Sequence, residues 1–330
     1  MDLHKKWILG PMVNFTNLPF RLTCLDYGAD IVFTEEIMDF NILKTNRIFN
    51  EKSGIYEYTD DRNSVIFSTN QNENGKVIFQ IGTFCSVNAL KACEHIINDF
   101  CAFDINMGCP KLYNIRRGMG SALLLKPEIA EDILKCLNRN LPKCSITCKI
   151  RLLDDFKKTL DFIRLCSNCN ISGITVHART PKEKYDVFPH WDIFPLIKSE
   201  LSSCIPVIAN GDFSSASLIN SFESKFPNAV DSFMLSRSAR HDPSIFLQKL
   251  EWKQRVQGSI GDMKIDIITD KYDCIKKFLK YAIITNLPFK STKNIIAYMK
   301  PVHCHSNALN KINGANSKHK LLDIFNNSNQ

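Results

Sequence analysis

The run Ala-Phe-Asp-Ile-Asn-Met-Gly-Cys-Pro at positions 102–110 holds the residue best placed for chemistry, Cys109. Read as a strand, Phe103 and Ile105 share one face while Asp104 and Asn106 share the other. Gly108 then permits a tight backbone path, and Pro110 restricts Cys109 to extended conformations. A thiol fixed just past a buried strand fits a nucleophile or a general acid. No Ser-His-Asp or Cys-His pairing is legible, so protease-like chemistry has no support. Other polar residues recur where short apolar runs end: Met12, Glu35 (followed by Glu36), Gln80, Lys149 with Arg151, His177 with Arg179, Asn210, and Arg237, with Glu35 the member of its pair expected at the rim. Asn210-Gly211-Asp212 and Ser236-Arg237 bring backbone N–H groups and a guanidinium of the kind that hold phosphate. A phosphate-anchored molecule lying across such a site would meet Met12, Gln80, Lys149 and His177. A flat ring system such as a flavin fits that set, and so does a sugar phosphate; spacing does not separate them.

These residues act together only if the fold gathers them. Strands are expected at Trp7–Val13, Ala29–Glu35, 77–82, Ala102–Asn106, Ser145–Arg151, Gly173–Arg179, Pro206–Gly211 and Ser232–Ser236. Helical spacing lies between them at Leu18–Tyr27, 86–99, Pro127–Leu137, Asp155–Ser167, 191–200 and Ser214–Phe222, the last with Ser214 or Ser215 near its N-cap. Val-Ile-Phe-Ser at 65–68, the turn residues at 70–75 and the run at 77–82 read as a hairpin leading into the third main strand. Strands rich in Ile and Val that alternate with helices imply parallel pairing with both faces covered. Eight such units over about 240 residues match a closed (β/α)8 TIM barrel, an α/β fold whose strand ends converge on one mouth. An open doubly wound sheet is the weaker reading, because no GxGxxG follows an early strand.

Beyond about Asp242 the alternation stops. Residues 244–257, 269–285, 292–299 and Asn307–Phe325 read as helices, so the expected organisation is a barrel over 1–242, a small all-helical domain over 243–325 and a frayed tail over 326–330. The formal net charge is +8. Residues 1–248 hold 28 basic and 28 acidic side chains, and residues 249–330 hold 14 and 6, so the whole excess lies in the C-terminal part. A basic region on a neutral body suggests an anionic partner, nucleic acid first among them, with a solvated lysine-rich surface as the plain alternative. The thirteen cysteines are odd in number and scattered, which fits a reducing compartment better than a disulfide framework. Cys166 with Cys169, and Cys304 between His303 and His305, lack the second ligand cluster of a closed zinc site, so no metal is expected. No apolar run is long enough to span a membrane, and the first residues lack the apolar core of a signal peptide. A cytoplasmic protein is therefore expected, with the nucleus as a second compartment.

The motifs GPM (10–12), DYGADIVFTEE (26–36), VIFQIGT (77–83), DINMGCPK (104–111), GMGSALL (118–124), TCKIR (147–151), ITVHART (174–180), PVIANGD (206–212), LSRSA (235–239) and DPSIF (242–246) resemble those of the tRNA-dihydrouridine synthases, most closely the eukaryotic type that modifies position 20 of the D-loop. The resemblance spans roughly residues 7–300. It implies a barrel with FMN, a helical C-terminal domain, NADPH as reductant and tRNA as partner, in a monomer. By resemblance, Cys109 is the general acid that delivers a proton to C5 of uracil, while hydride passes from the flavin to C6. Pro11, Met12, Val13, Gln80, Lys149 and His177 correspond to residues along the flavin, and Asn210, Gly211, Asp212, Ser236 and Arg237 to those around its phosphate. Asn106 and Arg179 correspond to the substrate side. Lys111, Arg116 and Arg117 in the loop after Cys109 are expected near RNA, and Lys276, Lys277 and Lys280 of the basic helical region are expected to bind it.

The chain departs from the family pattern in reading GPM where APM is common, and Ser236 where Gly or Ala often precedes the arginine. Some animal members carry a further RNA-binding domain. With the sequence ending at Gln330, RNA is expected to be held by the barrel mouth and the helical region. Two other readings compete: a flavin oxidoreductase for small enones, against which the C-terminal charge and NMGCPK argue, and a non-catalytic RNA binder, which would not need Cys109, Lys149, His177 and Arg237 together.

Overall fold

A computed structural model describes residues 1–201, 204–250, 252, 271–299 and 312–327. Eight parallel strands close on themselves: β1 (Trp7–Leu9), β2 (Ile31–Phe33), β7 (Val77–Gly82), β8 (Ala102–Met107), β9 (Ser145–Arg151), β10 (Gly173–His177), β11 (Val207–Asn210) and β12 (Ser232–Leu235). The ring closes through β1 on β12 and β2 on β7. The two-residue β3 (Ile37–Met38) extends β7 at its far end. The fold is thus an α/β TIM barrel followed by a C-terminal helical segment.

Alternation along each strand separates two apolar layers. Ile8, Ile31, Phe33, Ile78, Ala102, Ile208 and Met234 fill the barrel interior, with Leu3 in the same cluster. The opposite faces, among them Phe79, Phe103, Ile105, Ile146, Ile150, Ile174 and Val176, pack outward against the helices. Each fully buried side chain of this size contributes about 1.5–3 kcal/mol, so the register of every strand is strongly fixed.

The helices begin where the sequence supplies caps. Asn17 accepts the backbone N–H of Phe20 to start α1 (Leu18–Asp26), Asp155 accepts that of Lys157 to start α6 (Phe156–Ser167), and Ser215 that of Leu218 to start α8 (Ala216–Lys225). Pro127 opens α5 (Pro127–Asn140), with Glu128 in its first turn and Arg139 in its last, each complementing the helix dipole. The ring is completed by α3 (Ser86–Ile96) and α7 (Ile193–Glu200), with short helices α2 (Asp39–Ile42), α4 (Leu112–Ile115) and α9 (Arg237–His241) in the connections.

The expected hairpin between 65–68 and 77–82 does not form. Residues 46–70 make their own antiparallel sheet, β4 (Asn46–Asn50), β5 (Ile55–Thr59) and β6 (Val65–Asn70), while β7 pairs with β2, β8 and the short β3 and not with β6. A buried pair, Arg21 of α1 with Glu73, explains the break. Glu73 lies between β6 and β7 and accepts Arg21 Nη2 (2.8 Å) and Thr69 Oγ1 (3.0 Å), which pins the connection to α1.

After the barrel, Pro243–Gln248 forms a single 3-10 segment where the start of a helix was expected. Then follow α10 (Lys271–Ile284), α11 (Phe289–Tyr298) and α12 (Lys318–Asn326). Phe278 of α10 meets Phe20 of α1 edge-on, and Tyr281 donates to Asp26 (2.9 Å), so the C-terminal helices share the apolar core around the barrel. Residues 249, 250 and 252 are helical as expected, while 251 and 253–257, the first part of the helix expected at 307–325, the His303-Cys304-His305 cluster and the last three tail residues lie outside the described residues.

Candidate active site

Strand register brings the polar residues together. Gln80 of β7 stands opposite Asp104 of β8, Asn106 of β8 opposite Lys149 of β9, and His177 of β10 opposite both Arg151 of β9 and Asn210 of β11. All lie at or near the C-terminal ends of their strands, on the faces that point into the barrel mouth. All of them but Asp104, which lies beneath, line one cavity of about 770 Å³. Of the residues singled out from sequence, Pro11, Met12, Val13, Gln80, Asn106, Cys109, Lys111, Lys149, His177, Asn210, Gly211, Asp212, Ser236 and Arg237 line it.

The thiol end is built around the turn after β8. Asn106 Oδ1 accepts the backbone N–H groups of Gly108 (3.0 Å) and Cys109 (3.1 Å), which fixes the turn. Gly120, at φ +61°, leaves no room for a side chain: a Cβ there would stand 2.6 Å from the Cys109 carbonyl oxygen. Burial and the nearby Glu36 carboxylate push the Cys109 thiol above its ordinary range, so it is protonated at neutral pH.

Beneath it, Asp104 accepts Gln80 Nε2 (2.8 Å) and Thr147 Oγ1 (2.7 Å). With its amide nitrogen so engaged, Gln80 has its carbonyl oxygen left as an acceptor. Full burial pushes the Asp104 carboxyl up to about 6 despite these bonds. Burial, reinforced by Arg151, pulls Lys149 down to about 8. Both are therefore charged in a window between roughly 6 and 8. His177 is held neutral by burial and by Lys149, Arg151, Arg179 and Arg237 around it. Its Nε2 lies 3.4 Å from Arg179 Nη1, a group that can only donate, so the neutral ring carries its proton on Nδ1.

The opposite end is cationic. Asp212 is bonded by both Arg179 and Arg237, Arg237 lies 4.0 Å over the Tyr185 ring, and Arg240 also lines the wall. The Nε of Arg240 is buried without a partner. Gly211, at φ +132°, passes so close to Pro189 and His177 that a Cβ would meet them at 3.2 and 3.5 Å.

Some residues named from sequence are elsewhere. Arg179 is fully buried behind the wall, donating to the Val187 carbonyl (2.7 Å) as well as to Asp212. Arg116 and Arg117 are exposed on the loop that follows α4, with Arg117 3.8 Å over the Tyr113 ring. On α10, Lys276 pairs with Asp273 (3.6 Å) and Lys277 with Asp26 of α1 (3.2 Å), while Lys280 is exposed.

Sequence reading missed Tyr185, Arg240 and His241 as lining residues, and it set Glu35 among the rim residues where the structure puts Glu36 in the cavity and bonds Glu35 to the Asn14 backbone. Arg237, Arg240 and His241 follow i, i+3, i+4 spacing, which places them on one helical face and was a usable signal. Tyr185 sits in a loop with no periodicity to read.

The family profile described as Dihydrouridine synthase (Dus) matches residues 8–329. The chain belongs to the dihydrouridine synthase family. It is similar to the tRNA-dihydrouridine(20) synthase [NAD(P)+] of Schizosaccharomyces pombe, at 29% identity over 89% of this chain and 59% of that protein. It is also similar to the enzyme of the same name from Saccharomyces cerevisiae, at 34% identity over 73% of this chain and 66% of that protein. The human tRNA-dihydrouridine(20a/20b) synthase [NAD(P)+]-like protein is 28% identical over 83% of this chain and 80% of its own length. The chain thus spans about three fifths to two thirds of the first two of these family members. Among the described residues, no group of three or more potential ligands is arranged to hold a metal, and no helix is long and apolar enough to cross a membrane.

Proposed function

We propose that this chain reduces the C5–C6 double bond of a uridine in the tRNA D-loop, position 20 being the expected target, to give 5,6-dihydrouridine, with FMN as cofactor and NADPH as reductant. The observation that carries the reading is the convergence of Cys109, Lys149, His177 and Arg237 on a single barrel-mouth cavity. Its volume lies within the roughly 300–1,000 Å³ of small-molecule sites.

The residues fit a flavin mononucleotide. At the cationic end, Arg179, Arg237 and Arg240 outnumber Asp212, the carboxylate bonded to two of them, which suits a phosphate dianion. Gly211 and the residues around Ser236 would hold that phosphate. Met12, Gln80, Lys149 and His177 would border the ring, with the Gln80 carbonyl accepting an imide N–H. Bound and reduced, FMN supplies the hydride for C6.

The chain's own part is to orient the base and to move a proton. Cys109, protonated at neutral pH, donates its Sγ proton to C5. Asn106 fixes the backbone of the thiol's turn and lines the same cavity. Lys149, charged below about 8, stabilises negative charge that develops beside it. A uridine in folded tRNA must leave its loop stack to enter this mouth. In this reading the barrel over 1–242 does the chemistry. Lys111 at the mouth and the exposed Arg116 and Arg117 of the loop after α4, with the helical region over 243–325, hold the RNA backbone.

The test is spectroscopic. Purified protein should absorb near ~370 and ~450 nm, and NADPH should bleach the bands. Unmodified tRNA should then restore them without oxygen. Restoration by simple enones but not by tRNA would replace this reading with a small-molecule reductase. A colourless protein that binds tRNA would leave only a binding role.

A further inference from the structure

The connection between β2 and β3 delivers two adjacent carboxylates to the mouth, and they do different things. Glu35 points away, accepting the Asn14 backbone N–H (2.8 Å). Glu36 is buried and lines the cavity beside Cys109. Both its oxygens accept from the amide of Asn114, at 2.9 and 2.8 Å. Asn114 is itself buried in α4, the helix that directly follows Cys109-Pro110-Lys111, and its carbonyl accepts the backbone N–H groups of Arg117 and Met119 (both 3.0 Å). The carboxylate is therefore tied to the same loop that carries the thiol. Gly82 makes room for it, since a Cβ at that position would stand 2.8 Å from Glu36 Oε1.

Charge gives this arrangement a purpose. The charged groups that line the thiol end of the cavity together with Cys109 are Lys111 from its own loop, Lys149 and Arg151 from β9, and Glu36, with the Arg151 side chain packed against Gly108 next to the thiol. The three cations favour a thiolate, which cannot donate a proton. Glu36 opposes them. We infer that Glu36 is a positioning residue for Cys109: its clamped carboxyl group keeps the neighbouring thiol in the protonated form that donation requires. The inference rests on the reading of Cys109 as the proton donor. Burial also lifts the Glu36 carboxyl above its ordinary range, even against the Asn114 and Asn106 amides and Lys111, so the pair resists carrying two negative charges. After Cys109 gives up its proton, the Sγ–H bond is restored by a proton from solvent entering at the mouth. No other bond is made or broken.

The experiment measures the thiol directly, without RNA. The purified protein is treated with iodoacetamide across pH 6–10, and alkylation of the Cys109 peptide is followed by mass spectrometry, with buried Cys24 as an internal reference for integrity. Glu36→Gln should move the Cys109 alkylation midpoint down by about one pH unit, because a like charge within a few ångströms shifts a titration by that order. Glu36→Asp should restore most of it, and Asn114→Ala, which frees the carboxylate, should give a smaller downward shift. A midpoint that is unchanged or rises in Glu36→Gln overturns the inference. If that variant fails to fold, the Asn114→Ala result decides: no shift overturns it. Dihydrouridine formation by the same proteins separates the two claims. A shifted midpoint in a protein that never reduces tRNA would leave the Glu36–Cys109 coupling intact and sink the functional reading. An active enzyme with an unshifted midpoint would do the reverse.

Discussion

The barrel mouth and the C-terminal helices were both expected to act on the same RNA, yet their charged residues are used in different ways. At the mouth, Lys149 of β9, His177 of β10 and Arg237 at the start of α9, just past β12, face one cavity, where burial and close neighbours shift their titration. On α10, Lys276 and Lys277 are spent on nearby carboxylates, one of them on α1 of the barrel, and only Lys280 of the three stands exposed. The difference is topological. A parallel barrel sends every strand end to one rim, so residue type at a strand end nearly fixes location. A surface helix offers its lysines to whatever lies closest, and packing decides which remain for a partner.

The sharpest way to break this contrast is at Cys109. Cys109→Ala should lower dihydrouridine formation by about 10²–10⁴-fold, the usual worth of a positioned proton donor, while NADPH still bleaches the flavin bands. Undiminished product would remove the thiol from the chemistry. Next is Arg237→Ala, which should weaken flavin retention by roughly 10–100-fold, as expected for lost charge-assisted hydrogen bonds to phosphate, measured by equilibrium dialysis of the apoprotein.

A smaller effect follows from pH. Lys149 is charged below about 8 and loses its proton above that value. Reoxidation of the bleached flavin by tRNA should therefore fall roughly tenfold by pH 9 relative to pH 7, through loss of the protonated amine. Lys149→Arg, which stays charged, should flatten that limb. The same shift carries a stability sign. Between about 8 and the unfolded lysine value near ~10.4, the unfolded chain binds the extra proton, so this group makes the fold more stable as pH rises through that window.

The smallest effects belong to α10 and sharpen the comparison most. Lys280→Gln should weaken tRNA binding a few-fold and reduce the salt slope by about 0.7–0.9, the value for one phosphate contact. Lys277→Gln should leave that slope unchanged and cost about 0–1 kcal/mol of stability through its half-exposed pair with Asp26, read by denaturant titration. Equal salt slopes for the two variants would show that packing had not divided their roles.

Much of the barrel was legible because its signal is local. The short segments at 102–107, 145–151 and 173–177, in which apolar and polar residues alternate, need no distant information to be read as strands. The insert at 46–70 was less so. Its strands are partly exposed and rich in Asn, Tyr and Thr, and their partners are set by β-pairing and by the buried Arg21–Glu73 pair rather than by apolar period. Arg179 shows the same limit at the site. Its type and spacing match the residues around it, yet its side chain turns behind the wall to meet Asp212 and the Val187 carbonyl.

By itself the sequence determined the order of the strands, the thiol after the fourth barrel strand and the set of polar strand ends, because side-chain alternation and turn chemistry act within a few residues. Only the tertiary structure decided between neighbours. Glu36 rather than Glu35 lies beside Cys109, Arg240 joins Arg237 while Arg179 is buried behind them, and Lys280 rather than Lys277 stays exposed. Adjacent residues in extended chain face opposite ways, and which way is inward depends on the packing of segments far apart in sequence.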